Sequence, residues 1–211
     1  MYKYILWDND GVLVNTEGLF YRTTRRVFEE LGLELEESAY HARMIRGETS
    51  WTLARQAGIP ENVVQDAIAR RDDYYRHALQ NDPIDIPGVA ETLQSLAADY
   101  SMAIVTTADR KYFGWIHDGR RLVDHMDFVL TYEDYPRAKP APDPYLCALE
   151  RFNAAPAEAV VVEDTERGLR SAVGAGIDCI IVDSEFTRGH DFSKAKHIIG
   201  NISELPEVLH A

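Results

Sequence analysis

Short apolar runs recur along the chain with helix-like stretches between them, and this alternation restricts the fold more than any other feature. Tyr4-Ile5-Leu6 opens the series. Met102-Ala103-Ile104-Val105, Phe128-Val129-Leu130, Val160-Val161-Val162, Cys179-Ile180-Ile181-Val182 and His197-Ile198-Ile199 follow. Each has the length of a strand and little polar alternation, which predicts strands covered on both faces. Residues 90–98, 111–123, 143–152 and 166–173 read as helices, with Gly174 and Gly176 supplying the stop of the last. Alternating strand and helix implies an α/β fold, a parallel sheet in a three-layer α/β/α arrangement.

Residues 17–81 interrupt that rhythm and contain no convincing strand. Leu19/Phe20, Thr23/Thr24, Val27/Phe28 and Leu31 recur at helical spacing, and Gly32 can end that helix. Pro60 can open another helix, with Val63, Val64, Ala67, Ile68 and Tyr75 on its apolar side. The expected organisation is a core of residues 1–15 and 83–211 with an all-helical insert, 16–82, between them. No internal repeat or low-complexity tract is present in the sequence.

In open α/β sheets, ligands bind beyond the carboxyl ends of the strands, so the polar residues there carry the chemistry. The first strand runs into Asp8-Asn9-Asp10-Gly11. Two carboxylates so placed must be solvated or neutralised. A divalent cation would neutralise them, leaving one to attack and the other to move a proton. A plain solvated turn would use the same residue types. The second strand ends at Thr106-Thr107, the fourth at Glu163-Asp164, and Lys139 precedes the helix leading into the fourth. Separate segments thus deliver carboxylates, a hydroxyl and an ammonium towards one edge, a set that suits a phosphate together with a divalent cation.

Bulk properties narrow the partners. With 22 basic and 35 acidic residues among 211, the net charge is −13. That disfavours nucleic acid, whose binders need cations to replace counterions on phosphates. Hydrophobic residues make up 45%, enough for a core, yet no apolar run is long enough to span a bilayer. Cys147 and Cys179 have apolar neighbours and read as buried free thiols rather than a disulfide. The chain enters its first strand without a leader-like segment, which makes a reducing cytoplasm the expected location. The seven histidines show no metal-ligand spacing. The expected partner is a small molecule, with a monomer plausible.

The motifs taken together resemble the haloacid dehalogenase superfamily, in particular its phosphatase-like and beta-phosphoglucomutase-like members with a helical cap after the first strand. Asp8-Asn9-Asp10-Gly11-Val12-Leu13 is similar to the first motif of that family and Thr106 to the second. Lys139 with Pro140-Ala141-Pro142-Asp143 is similar to the third, and Val162-Glu163-Asp164-Thr165 with Gly168 to the fourth. The resemblance implies a Rossmann-like core with a five-stranded central sheet and a helical cap. It implies Asp8 as nucleophile, forming an aspartyl-phosphate, and Asp10 as the acid that protonates the leaving oxygen and then takes a proton from water. It implies Mg2+ held by Asp8, the Asp10 main-chain carbonyl and Asp164, with Glu163 acting in the outer shell or through water. Thr106, with Thr107 as its competing neighbour, would hold phosphoryl oxygens, and Lys139 would balance charge.

Details of the pattern choose among members. Asp10 stands where dehalogenase and phosphonate-cleaving members lack an acid, so the resemblance implies a phosphomonoester substrate. The mutases carry a histidine where this chain has Phe20 and an arginine where it has Ser50. Arg46 could partly compensate, so a sugar phosphomutase remains the alternative. The segment 46–51, beginning with Arg46 and Gly47, is the candidate specificity loop. Asn9 departs from the apolar residue common between the two aspartates. A phospho-accepting receiver or a non-catalytic binding protein are the alternatives from other classes. The order of motifs and the intact acidic set favour the hydrolase.

Overall fold

The computed structural model describes residues 1–210. In chain order its strands are β1 (Tyr4–Trp7), β2 (Ser101–Val105), β3 (Phe128–Leu130), β4 (Ala159–Glu163), β5 (Asp178–Val182) and β6 (His197–Ile199). Its α-helices are α1 (Glu17–Glu30), α2 (Glu37–Ile45), α3 (Trp51–Gln56), α4 (Glu61–Asn81), α5 (Val89–Leu96), α6 (Arg110–Ile116), α7 (Asp143–Phe152), α8 (Glu166–Gly174) and α9 (Leu205–His210). The chain forms two compact units, Met1–Asn15 with the chain from Asp85 onward, and Thr16–Ile84.

The first unit is an α/β layer structure around one parallel sheet of order β3-β2-β1-β4-β5-β6. Residues alternate across it. Ile5, Trp7, Ile104, Val160 and Val162 pack on one face with Leu93 of α5. Leu6, Ala103, Val105 and Val161 pack on the other with Tyr145 and Ala148 of α7 and Leu169 and Ala172 of α8. Burial on both faces is why these runs lack a polar period. All six apolar runs form strands, so the sheet has one strand more than the five-stranded sheet of the family resemblance. The addition is β6, an edge strand pairing β5, with His197 and Ile198 exposed. The helix expected over 111–123 is split. It stops at Ile116, and the turn residues Asp118-Gly119 separate it from a short 3-10 segment, Leu122–His125. Both cysteines are free thiols, but Cys147 is only half-buried.

Register places the site. β1 lies between β2 and β4, with Trp7 opposite Ile104 on one side and Val162 on the other. The carboxyl ends of three strands therefore stand side by side. The chain leaves β1 towards β2 on one side and returns to β4 on the other, so β1 and β4 flank the point where strand order reverses. Beyond the site turn, Val14 makes an antiparallel bridge with Asp85, so the strand-end segment leaving the sheet unit lies beside the one re-entering it.

The second unit is helical. Val27 and Phe28 of α1, Trp51 and Ala54 of α3, and Val64 and Ala67 of α4 form its core. On α4, Val64, Ala67 and Tyr75 are buried, while Val63 and Ile68 are half-buried. The same helix also buries Arg71 and Asp72, which ion-pair at 3.0 Å, with the guanidinium 4.1 Å from the centre of the Phe20 ring. No helix among the described residues is long and apolar enough to cross a membrane.

Candidate active site

The turn after β1 gathers its hydrogen bonds on one residue. The Asn9 carbonyl accepts from the amides of Leu13 at 2.8 Å and Val14 at 3.1 Å, and the Gly11 amide donates to the Val14 carbonyl. Gly11 has φ +84°, and a Cβ there would collide with the Asp164 carboxylate. Glycine is therefore required for both backbone and space. This turn leaves Asp8 buried and Asp10 half-buried.

Lys139 ties the strand ends together. It is 3% exposed, and its Nζ donates to Asp8 Oδ1 at 2.7 Å, Glu163 Oε1 at 2.7 Å and the Val105 carbonyl at 2.8 Å. Those bonds use all three donors of the ammonium. Glu163, fully buried, is engaged on both oxygens. Oε1 also accepts from the Tyr145 hydroxyl, and Oε2 accepts from the amides of Asp164 and Thr165 and from Thr165 Oγ1. Thr165 in turn caps α8, its Oγ1 accepting from the Gly168 amide at 3.0 Å. Gly168 packs on the Glu163 carboxylate so closely that no Cβ fits there.

Three carboxylates, of Asp8, Glu163 and Asp164, place oxygens within 4.8 Å of one another, all buried. The Lys139 ammonium bonds two of them, Asp8 and Glu163. Burial first, then the charge of Glu163, pushes Asp8 up to about 7 against the opposing pull of Lys139. Burial would also raise Glu163, but the Lys139 charge and its hydrogen bonds hold it below the ordinary carboxylate range. Burial would lower Lys139, yet the two carboxylates outweigh it and hold the ammonium charged. The cluster is therefore short of positive charge at Asp8. A set of hard oxygen donors short of positive charge fits a divalent cation such as Mg2+.

Around this cluster, Thr106 is buried. Its Oγ1 accepts from the Ala108 amide at 3.0 Å and lies 3.5 Å from Asp10 Oδ2. The Thr107 hydroxyl instead accepts from Arg167 at 3.1 Å. Asp8, Asp10, Thr106, Lys139, Glu163 and Asp164 thus converge at the ends of β1, β2 and β4. Arg46 and Gly47 belong to the helical unit. There Arg46, just after α2, is exposed and pairs with Glu48 at 2.9 Å.

Sequence reasoning missed His117. It follows α6, is 8% exposed, and its Nε2 stands 2.7 Å from Asn9 Oδ1. The one available signal was Asn9 itself, a polar residue at a position the pattern expects to be apolar.

A doubly covered parallel sheet with acidic residues at its switch point is a Rossmann-like α/β fold with its candidate site at the strand ends. Residues 5–182 match the family model described as Haloacid dehalogenase-like hydrolase, and the chain belongs to that family. Protein CbbY of Cereibacter sphaeroides is 28% identical, over 97% of this chain and 94% of that protein. Fructose-1-phosphate phosphatase YqaB of Escherichia coli (strain K12) is 26% identical, over 86% of this chain and 96% of that protein. Among solved structures, mutant CbbY from Rhodobacter sphaeroides in complex with xylulose-(1,5)bisphosphate superposes with a TM-score of 0.82. It is 26% identical and covers 97% of this chain and 96% of its own.

Proposed function

We propose that this protein is a Mg2+-dependent phosphatase that hydrolyses a small phosphomonoester, a sugar phosphate or a similar metabolite, through an aspartyl-phosphate. The observation that carries the reading is the Lys139 ammonium 2.7 Å from Asp8 inside a buried acidic cluster. A carboxylate fixed in one orientation by a neighbouring cation is placed to act as a nucleophile, and phosphoryl transfer asks little more than positioning and charge stabilisation. The names of the relatives, a fructose-1-phosphate phosphatase and a protein crystallised with a sugar bisphosphate, support the substrate class.

Asp8 attacks phosphorus through one carboxylate oxygen while the bond to the leaving oxygen breaks. Asp10 delivers a proton to that oxygen, and the alcohol departs. Asp10, now a carboxylate, takes a proton from a water that attacks the aspartyl-phosphate. The P–O bond to Asp8 breaks, and inorganic phosphate leaves with Asp8 and Asp10 restored. Lys139 fixes the Asp8 rotamer throughout and offsets charge near the phosphoryl group. Thr106 Oγ1 donates to a phosphoryl oxygen. Asp8, the Asp10 main-chain carbonyl and Asp164 would hold Mg2+, and Glu163 would orient them through Lys139 and the Asp164 amide. When bound, Mg2+ shields the repulsion between the Asp8 carboxylate and the phosphate oxygens. The helical unit takes the part of a substrate-selecting cap, with Arg46 and Gly47 in its specificity loop.

A panel of phosphorylated sugars, assayed for released phosphate with Mg2+ and again with chelator, tests the reading. Release that depends on Mg2+ is the expected result. Equal rates with chelator would defeat the metal assignment. Isomerisation of a sugar 1-phosphate outpacing phosphate release would replace the phosphatase with a mutase.

A further inference from the structure

We propose that Asn9 and His117 form a positioning chain that holds the Asp10 carboxyl in register for proton transfer. The inference rests on the acid–base role given to Asp10 above. Asn9 is fully buried between two carboxylate-bearing neighbours, where an apolar side chain would cost nothing to desolvate. Its amide is engaged at both ends. Nδ2 donates to Asp10 Oδ2 at 3.2 Å, and Oδ1 faces His117 Nε2 at 2.7 Å.

The chemistry fixes the direction of the chain. The Asp10 oxygen accepts, so the nitrogen of the Asn9 amide must face it and the amide oxygen must face the ring. His117 Nε2 therefore carries the proton and donates it, and the ring is neutral with a bare Nδ1. That nitrogen is buried and has no hydrogen-bond partner, a tolerable state for a lone acceptor and a costly one for an N–H. Burial, with the nearby Arg120 charge, also favours the neutral ring. The Phe113 ring, 4.3 Å from the imidazole centroid, holds it from its own helix.

Two donors, Asn9 Nδ2 and Thr106 Oγ1, address the same Asp10 oxygen. Thr106 has a single O–H, already 3.5 Å away, and phosphoryl binding would turn it elsewhere. Asn9 then continues to hold Oδ2. An oxygen that accepts in both protonation states sets the carboxyl rotation and leaves the transferred proton to Oδ1. His117 locks the Asn9 amide against flipping, since a flipped amide would present oxygen to a carboxylate. Both are positioning residues, acting through Asp10.

The test compares Asn9→Leu, His117→Leu and His117→Gln on two substrates, fructose 1-phosphate, whose leaving alkoxide needs a proton, and p-nitrophenyl phosphate, whose leaving group does not. A general acid contributes roughly 100-fold or more, and its loss of register forfeits part of that. Asn9→Leu and His117→Leu should lower kcat on fructose 1-phosphate about tenfold more than on p-nitrophenyl phosphate, with KM little changed. His117→Gln, whose amide N–H can donate to Asn9, should recover most of the difference. Equal losses on both substrates, or no rescue by glutamine, would overturn the positioning chain. Asp10→Asn, measured alongside, separates the two failures. A uniform loss there overturns the acid–base reading and the chain with it. A leaving-group-dependent loss there, with none in the other variants, overturns the chain alone. Should Asn9→Leu not fold, the His117 pair decides the matter.

Discussion

Lys139 donates to Asp8 at 2.7 Å with its own side chain 1% and that of Asp8 12% exposed, and the same ammonium holds Glu163 at the same distance. Removing that charge leaves two buried carboxylates facing each other. Lys139→Met should therefore destabilise the protein by about 3–5 kcal/mol, the range for breaking a buried ion pair from one side. Urea denaturation of the variant against the parent measures it. A loss under ~1 kcal/mol would mean that the carboxylates find other relief.

Asp8→Asn keeps the shape of the side chain and removes its nucleophilicity. Turnover should fall at least ~1000-fold, as when a covalent nucleophile is lost elsewhere. Stability should hold or rise, because a carboxylate pushed up to about 7 by burial is costly to keep charged. Phosphate release and a thermal melt on one preparation check both. Residual turnover near the parent rate would move the nucleophile to another residue.

Magnesium should stabilise the folded chain. A ligand at 100 times its dissociation constant contributes about 2.7 kcal/mol, so Tm should rise with Mg2+ and the rise should shrink in Asp8→Asn and Asp164→Asn. A Tm insensitive to Mg2+ would argue that the acidic cluster of Asp8, Glu163 and Asp164 is satisfied by Lys139 alone.

His117 gives the protein an acid-sensitive site. Burial, reinforced by Arg120, lowers its pKa to about 4, against an ordinary value of 6.5. The unfolded chain takes up a proton as pH falls below 6.5 while the folded chain does not. Stability present above pH 6.5 is thus lost progressively down to about pH 4, a total of roughly 3 kcal/mol. His117→Gln should flatten the urea midpoint over this window. Parallel curves for parent and variant would show that the ring is already charged in the folded state.

Gly168 lies against the Glu163 carboxylate with no room for a Cβ. Gly168→Ala is favourable for helix propensity, yet it should destabilise by about 1–3 kcal/mol through overpacking. It should also depress activity, since Glu163 shares Lys139 with Asp8. Stabilisation instead would mean that the start of α8 shifts freely.

Much of this was legible in the sequence, for a physical reason. Strands covered on both faces leave continuous apolar runs, so their ends are marked, and Asp8, Thr106, Glu163 and Asp164 stand at those ends. Lys139 was legible through the proline-rich motif that follows it rather than through any local periodicity. His117 was not. It meets Asn9 across 108 residues, and nothing in a helix end advertises a tertiary partner. Arg71 and Asp72 were missed on α4 because charge on a helix normally marks its wet face, whereas here the two are buried inside the helical unit and ion-pair with each other. The sixth strand had its apolar run in plain view, and only the resemblance to a five-stranded sheet argued for fewer.

The bridge between Val14 and Asp85 makes the sheet unit indifferent to how many residues are spliced between those points. Where exit and entry are neighbours, a longer or shorter excursion adds little closure entropy and leaves strand register untouched. The position is a natural grafting point. Foreign helical segments transplanted there would leave the strand-end cluster of Asp8, Lys139, Glu163 and Asp164, which lies wholly in the sheet unit, in place.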